Sequence, residues 1–184
     1  MSNKVVYLTF DDGPNQESTE VILEILSKNN IKATFFLLGQ QAELYPALVQ
    51  KIIDNKHSIG NHGYAHLKGW TTSSKNYLND VLKAQSILPE TTLFRPPFGR
   101  LTPGQIKQVK AKGFQIVFWD VMSRDFDPDC NPEKSLQKQL KYIKNGSILV
   151  YHDNQKSLQN LQMMLPQLIE ELQKTGYSFA TLDC

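Results

Sequence analysis

Short apolar runs alternate with longer amphipathic segments along the whole chain, the pattern of repeated βα units around a parallel sheet. Strands are predicted at Val5 to Phe10, Ala33 to Leu38, Ser58 to Asn61, Thr92 to Arg95, Phe114 to Trp119, Ser147 to Tyr151 and Ser178 to Thr181. Between them, helices are predicted at 17–29, 43–55, 73–87, 102–112, 132–144 and 157–174. The last carries Leu158, Leu161, Leu165, Leu168, Ile169 and Leu172 on one face, with Pro166 inside it as a candidate kink. Gly113, Gly146 and Gly176 stand where left-handed turns would end helices and start strands. Seven strands in 184 residues predict an α/β, barrel-like sheet smaller than the eight-stranded form, which needs about 250 residues. No linker or low-complexity tract breaks the rhythm, so residues 1–184 read as one domain.

Composition narrows the function classes. With 20 basic against 18 acidic residues and no run of Lys or Arg, the chain lacks the basic stripe of a nucleic-acid or anionic-membrane binder. The longest apolar stretches, such as Ala33 to Leu38, are too short for a transmembrane segment. Met1-Ser2-Asn3-Lys4 leads into a brief strand and not into a signal-peptide core. A soluble monomer is expected, cytoplasmic as the chain stands, or envelope-associated or secreted if a leader has been removed. Cys130 and Cys184 allow at most one disulfide and do not reveal a redox compartment.

In folds of this kind chemistry gathers at the C-terminal ends of the strands. The first ends in Thr9-Phe10-Asp11-Asp12-Gly13-Pro14, where two adjacent carboxylates repel each other unless a cation intervenes. The third ends in Asn61-His62-Gly63-Tyr64-Ala65-His66, two imidazoles four residues apart. With Asp12 they supply three N/O ligands and leave a position open for water, the donor set of a catalytic divalent metal. Zinc suits that set, with cobalt, manganese or nickel as alternatives. The fourth strand runs into Arg95-Pro96-Pro97-Phe98-Gly99, a permanent cation before a stiff loop. The sixth ends in Val150-Tyr151-His152-Asp153, which places a candidate general acid, His152, just where the apolar run stops.

These motifs, in this order, resemble those of the NodB-like polysaccharide deacetylases, the fourth carbohydrate esterase family, over Val5 to Thr181. The resemblance implies a distorted seven-stranded (β/α) barrel and hydrolysis of N-acetyl groups on an acetylated glycan such as peptidoglycan or a chitin-like oligomer. It further implies Asp11 as the catalytic base and Asp12, His62 and His66 as metal ligands. Arg95 would hold the base, and Phe98, beside Pro97, would offer its backbone N–H to the oxyanion. Asp125, in a fourth motif spanning Trp119 to Phe126, would pair with that Arg, and His152 would be the catalytic acid.

Four positions depart from the family pattern. Gly63 stands where a Ser or Thr usually braces the histidine loop, which puts the order of that loop in doubt. Met122, Phe126 and Val150 alter the expected wall around the leaving group and acetyl methyl. Two rival readings follow: a hydrolase of acetyl esters or non-sugar amides on the same site, and a catalytically silent carbohydrate-binding protein. Trp70 could stack on a sugar or pack in a loop, His57 and Trp119 read as structural, and Cys130 reads as part of a loop beside the site.

Overall fold

The computed structural model describes residues 4–182. The elements run β1 (Lys4–Asp11), α1 (Ser18–Lys28), β2 (Thr34–Leu37), α2 (Gly39–Leu44), α3 (Pro46–Asp54), β3 (Ser58–Asn61), α4 (Ser74–Gln85) and β4 (Leu93–Phe94). They continue α5 (Pro103–Ala111), β5 (Gln115–Ile116), β6 (Val121–Met122), α6 (Pro132–Tyr142), β7 (Ile148–His152), α7 (Leu158–Lys174) and β8 (Tyr177–Ala180). All strand pairings are parallel, along the seven-strand path β5-β4-β3-β2-β1-β7-β6. The sheet curls into the distorted seven-stranded barrel, open between β5 and β6.

The seven strands of the path are not the seven predicted from the apolar runs. β8, the last predicted strand, lies off the path: it pairs with Lys4–Tyr7 of β1, while β2 pairs with Thr9–Asp11. Leu182 N donates to Thr34 Oγ1 at 2.9 Å and so joins the end of β8 to the start of β2. β6 takes the vacant place, within a stretch too short and too mixed to read as a strand. The predicted strand Phe114 to Trp119 contributes only Gln115–Ile116 to the ladder. Its next carbonyls are diverted to a side chain: Arg95 Nε donates to Val117 O at 3.4 Å and Nη2 to Phe118 O at 3.2 Å.

Two helical expectations also changed. The segment 43–55 is two helices, because Pro46 excludes helical geometry at Tyr45, which adopts φ −127° and ψ 57°. Helix α7 continues through Pro166 and buries Leu161, Leu165, Leu168, Ile169 and Leu172.

Strand alternation divides the molecule into a core and a lumen. Val6, Leu8 and Phe10 of β1 join Phe35, Leu149 and Tyr151 in the main apolar cluster, with α1 and α7 over them. Thr9 and Asp11 face the other way and are nonetheless buried. What fills that side is Arg95, which is fully buried. Its Nη1 donates to Thr9 Oγ1 at 2.6 Å and to Asp11 Oδ1 at 2.8 Å, and its Cζ lies 4.1 Å from the centre of the Phe36 ring. A buried guanidinium needs every one of those partners, so it acts as the polar plug of an otherwise open barrel.

Candidate active site

The register of the central strands assembles the site. Asp11 lies opposite His152 across β1 and β7, and both stand at the C-terminal ends of their strands. β3 delivers His62 one residue past its end, and β4 delivers Arg95 in the same way. The strand ends open onto a cavity of about 640 Å³ lined by Asp11, Asp12, His62, His66 and His152, with Phe98, Trp119, Met122 and Phe126 as its apolar walls.

One ligand atom from each of Asp12, His62 and His66 lies within 4.8 Å of the others. Asp12 Oδ1 is 3.5 Å from His62 Nε2 and 3.2 Å from His66 Nε2. His62 Nδ1 donates to the Arg95 carbonyl at 2.7 Å, and because a carbonyl only accepts, Nε2 is the ring nitrogen left to act as a ligand. Burial pushes His66 down to a pKa of about 4, so that ring is neutral near pH 7. For Asp12, burial favours the protonated form, but the polar contact with His62 at 3.5 Å, and then the imidazoles of His152 and His66, outweigh it and hold the carboxyl below the usual range. Among the described residues its buried Oδ1 has no hydrogen-bond partner, although Asn154 Nδ2 donates to Oδ2 at 2.8 Å. An orphaned carboxylate oxygen facing the Nε2 atoms of two imidazoles is the environment a divalent cation fits.

The backbone is bent to make this cluster. Asp12 (φ 80°), His66 (φ 54°) and Phe98 (φ 60°) all occupy the left-handed region, which costs a non-glycine residue free energy. Asp153, buried beneath the Asp12 loop, pins it from below. Its backbone N donates to Asp11 O at 2.7 Å, and its carboxylate accepts from Ser18 Oγ and Thr19 Oγ1, each at 2.6 Å. A Cβ on Gly13 would come within 2.1 Å of that carboxylate, so the Asp-Asp-Gly sequence reflects close approach and not merely a solvated turn.

Gly63 does not leave the histidine loop unbraced. Asp80 of α4 reaches into the loop and accepts from Tyr64 N at 2.8 Å and Ala65 N at 3.0 Å, while Asn61 Oδ1 accepts from Gly63 N at 2.8 Å. Gly63 has φ +80°, and a Cβ there would lie 2.7 Å from Asp80 Oδ2. The carboxylate of Asp80 thus stands where a hydroxyl side chain at 63 would go.

The expected pairing of Asp125 with Arg95 is not what the structure has. Arg95 pairs with Asp11, and Asp125 pairs with His152: Nδ1 donates to Oδ1 at 2.7 Å and the backbone N to Oδ2 at 2.8 Å. The reason is topological, since β4 points Arg95 at β1 and β5, whereas Asp125 follows β6, the neighbour of β7. Burial opposes charge on His152, but the hydrogen bond and charge of Asp125, joined by Asp11 and Asp12, raise its pKa to about 9.

Of the residues expected to touch substrate, Phe98 and Phe126 line the cavity, the former ring 4.5 Å from His66 and the latter 4.7 Å from His152. Pro97 and Val150 do not. Val150 is one pleat below His152, beside Thr9 and under the Arg95 plug, and Pro97 is buried beneath the Gly63 turn. Trp119, read as structural, lines the cavity, and Trp70 is 65% exposed. His57 is structural, its Nδ1 accepting from Ala33 N at 3.2 Å. Thr9, Asn154 and Asp80 escaped sequence reading; Asn154, just past a strand end, was the one with a positional signal.

Comparison with known proteins agrees with the architecture. The sequence profile of the polysaccharide deacetylase family matches residues 1–117. The chain belongs to this family. A peptidoglycan-N-acetylglucosamine deacetylase of Bacillus cereus is 32% identical over 98% of the chain and 87% of its own length. The PgdA peptidoglycan-N-acetylglucosamine deacetylase of Listeria monocytogenes is 31% identical over 99% of the chain, which spans only 39% of that protein. Among solved structures, a peptidoglycan N-acetylglucosamine deacetylase superposes with a TM-score of 0.93 at 34% identity, covering 98% of this chain and 87% of the other. A pseudoenzyme of the family from Bacillus anthracis superposes with a TM-score of 0.87 at 26% identity, covering 98% and 64%. Among the described residues, no helix is long and apolar enough to cross a membrane.

Proposed function

We propose that this chain is a metal-dependent hydrolase that removes N-acetyl groups from the glucosamine units of peptidoglycan. The observation that carries the reading is the orphaned Asp12 Oδ1 between the Nε2 atoms of His62 and His66. The substrate is drawn from the relatives that share the fold and nearly the whole length of the chain.

Asp12, His62 and His66 would hold the metal. A divalent cation held there, zinc by its donor set, would supply Lewis-acid polarisation of a carbonyl and a lowered pKa for water. Asp11 takes the proton of the attacking water, its carboxylate oriented by the 2.8 Å bond from Arg95 Nη1. The Phe98 N–H is assigned to the developing oxyanion, a donor of the kind worth ~3–4 kcal/mol. His152, protonated at neutral pH and held by Asp125, delivers a proton to the departing amine. No covalent intermediate with the protein is needed.

The test is metal content and acetate release on peptidoglycan and on N-acetylglucosamine oligomers, for the native chain and His62→Ala. The expected result is one ion per chain and acetate release, both lost in the variant. Bound metal without acetate release from any glycan would make this a silent member of the family. No metal in the native chain would end the metal-dependent reading.

A further inference from the structure

The cavity floor is acidic and its rim is not. Asp11 and Asp12 lie at the bottom, while Lys68, Arg100 and Lys156 line the same space. Among the described residues none of these three cations enters an ion pair. Two of them instead lie against rings: Lys68 Nζ is 5.5 Å from the centre of Phe98, and Arg100 Cζ is 4.7 Å from that of Trp70.

Trp70 sits in the short helical turn Gly69–Thr71 with 65% of its surface exposed, although an indole that size ordinarily buries. The turn that carries it is fixed. Gln105, 1% exposed, donates from Nε2 to Gly69 O at 2.8 Å and Thr72 O at 2.9 Å, and accepts from Thr102 N at 2.9 Å. Gly69 presses so closely on the Arg100 backbone that a Cβ would lie 2.2 Å from its carbonyl oxygen. A buried amide thus clamps two loops together and holds an exposed indole and an unpaired guanidinium side by side at the mouth of the cavity. Such preorganisation removes the entropy cost of ordering a binding surface.

We propose that Trp70, Arg100 and Lys68 form a subsite for a carboxylate-bearing sugar next to the acetylated unit that is hydrolysed. The indole face takes the apolar face of the ring, and the guanidinium and ammonium take the carboxylate. In peptidoglycan that sugar is muramic acid, whose carboxylate is the lactyl group itself or the end of the peptide attached to it. The subsite rests on the function proposed above and sharpens it, since a neutral chitin-like chain offers the indole a partner but the two cations none.

The test is calorimetric binding of soluble glucosamine–muramic acid fragments, with the glucosamine already deacetylated so that turnover adds no heat. Three forms are compared: free lactyl carboxylate, lactyl methyl ester, and peptide-bearing with a free terminal carboxylate. The native protein should bind the free acid about tenfold tighter than the ester, the worth of one charge-assisted contact. Arg100→Gln with Lys68→Gln should erase that preference, and Trp70→Ala should weaken acid and ester alike. A peptide-bearing fragment that outbinds the free acid identifies the stem as the source of the carboxylate. Equal binding of ester and both acids by the native protein, or a preference that survives in the double variant, overturns the subsite. Acetate release from peptidoglycan and from a neutral N-acetylglucosamine oligomer is measured in parallel. Absence of release from both refutes the proposed activity without touching the binding result.

Discussion

His152 and Asp125 are joined twice: the imidazole Nδ1–H and the backbone N–H of His152 donate to the two oxygens of one buried carboxylate. Ser123 Oγ donates to the same carboxylate at 2.7 Å, so its orientation is fixed before substrate arrives. This bond, and not one to Arg95, defines the part Asp125 plays.

The proposed acid must carry its proton to work, and its pKa of about 9 keeps it protonated at neutrality. A bound dication opposes the imidazolium, so activity should fall as pH rises through a value no higher than this. In Asp125→Asn the largest supports for the charge are gone, burial prevails, and the alkaline limb should move down by more than one pH unit. NMR titration of His152 in the metal-free protein checks the assignment, because a bound dication opposes the imidazolium. The linkage to stability has a definite sign. A folded-state pKa above the ordinary 6.5 contributes stability that is complete below 6.5 and lost as pH rises through about 9. Thermal midpoints of native protein and Asp125→Asn should converge above that window, and a constant gap across it would refute the linkage.

Asp11→Asn separates proposed base from proposed ligand. Asn keeps the size of the side chain and an oxygen for Arg95 Nη1 but cannot accept a proton from water. Turnover should fall by at least 100-fold, the lower end of what a positioned base contributes (~10²–10⁴). Metal content should stay that of the native chain. Activity within a few-fold of native, with metal bound, would move the base to another residue.

The histidine loop offers a structural test. Asp80→Ala removes the acceptor of two backbone N–H groups, Tyr64 N and Ala65 N, and leaves His66 on a loop without its brace. Metal affinity should fall by about 10–100-fold, as for other supporting contacts of ligands. Asp80→Ala with Gly63→Ser asks whether a hydroxyl restores the brace once the space is free. Unchanged affinity in Asp80→Ala would mean that Asn61 suffices.

Legibility in the sequence followed locality. Asp11, Asp12, His62 and His66 could be found because each pair sits within one strand end, and strand ends converge in a parallel barrel. The partner of Asp125 could not, because it depends on β6 lying beside β7, and β6 is two paired residues with no apolar run of their own. The same holds for Asp80, whose meaning comes from where α4 packs over the loop after β3. The broken helix at Tyr45 was readable from Pro46 alone and shows a local rule overriding a smooth apolar period. The retreat of residues 117–119 from the ladder was not readable, since it is Arg95, one strand earlier in sequence, that claims the carbonyls of Val117 and Phe118.

Asn154 should tune the metal without touching it. Its Nδ2 donates to Asp12 Oδ2, while its Oδ1 accepts from Ser157 N at 3.1 Å and Ser157 Oγ at 3.0 Å. The amide is therefore held at one end by the entry to α7 and holds the carboxylate at the other. With Oδ2 occupied, Oδ1 is the oxygen left to face His62 and His66, so it is the one Asp12 would offer to a metal. Asn154→Ala frees the carboxylate to rotate and should weaken zinc binding about 10–100-fold in a chelator competition. Asn154→Asp sets a second carboxylate against Oδ2 and should weaken it through rotation and repulsion, unless the new carboxylate itself ligates the ion and tightens binding. An Asn154→Ala affinity equal to native would show that the strained backbone of Asp12, φ 80°, orients the carboxylate unaided.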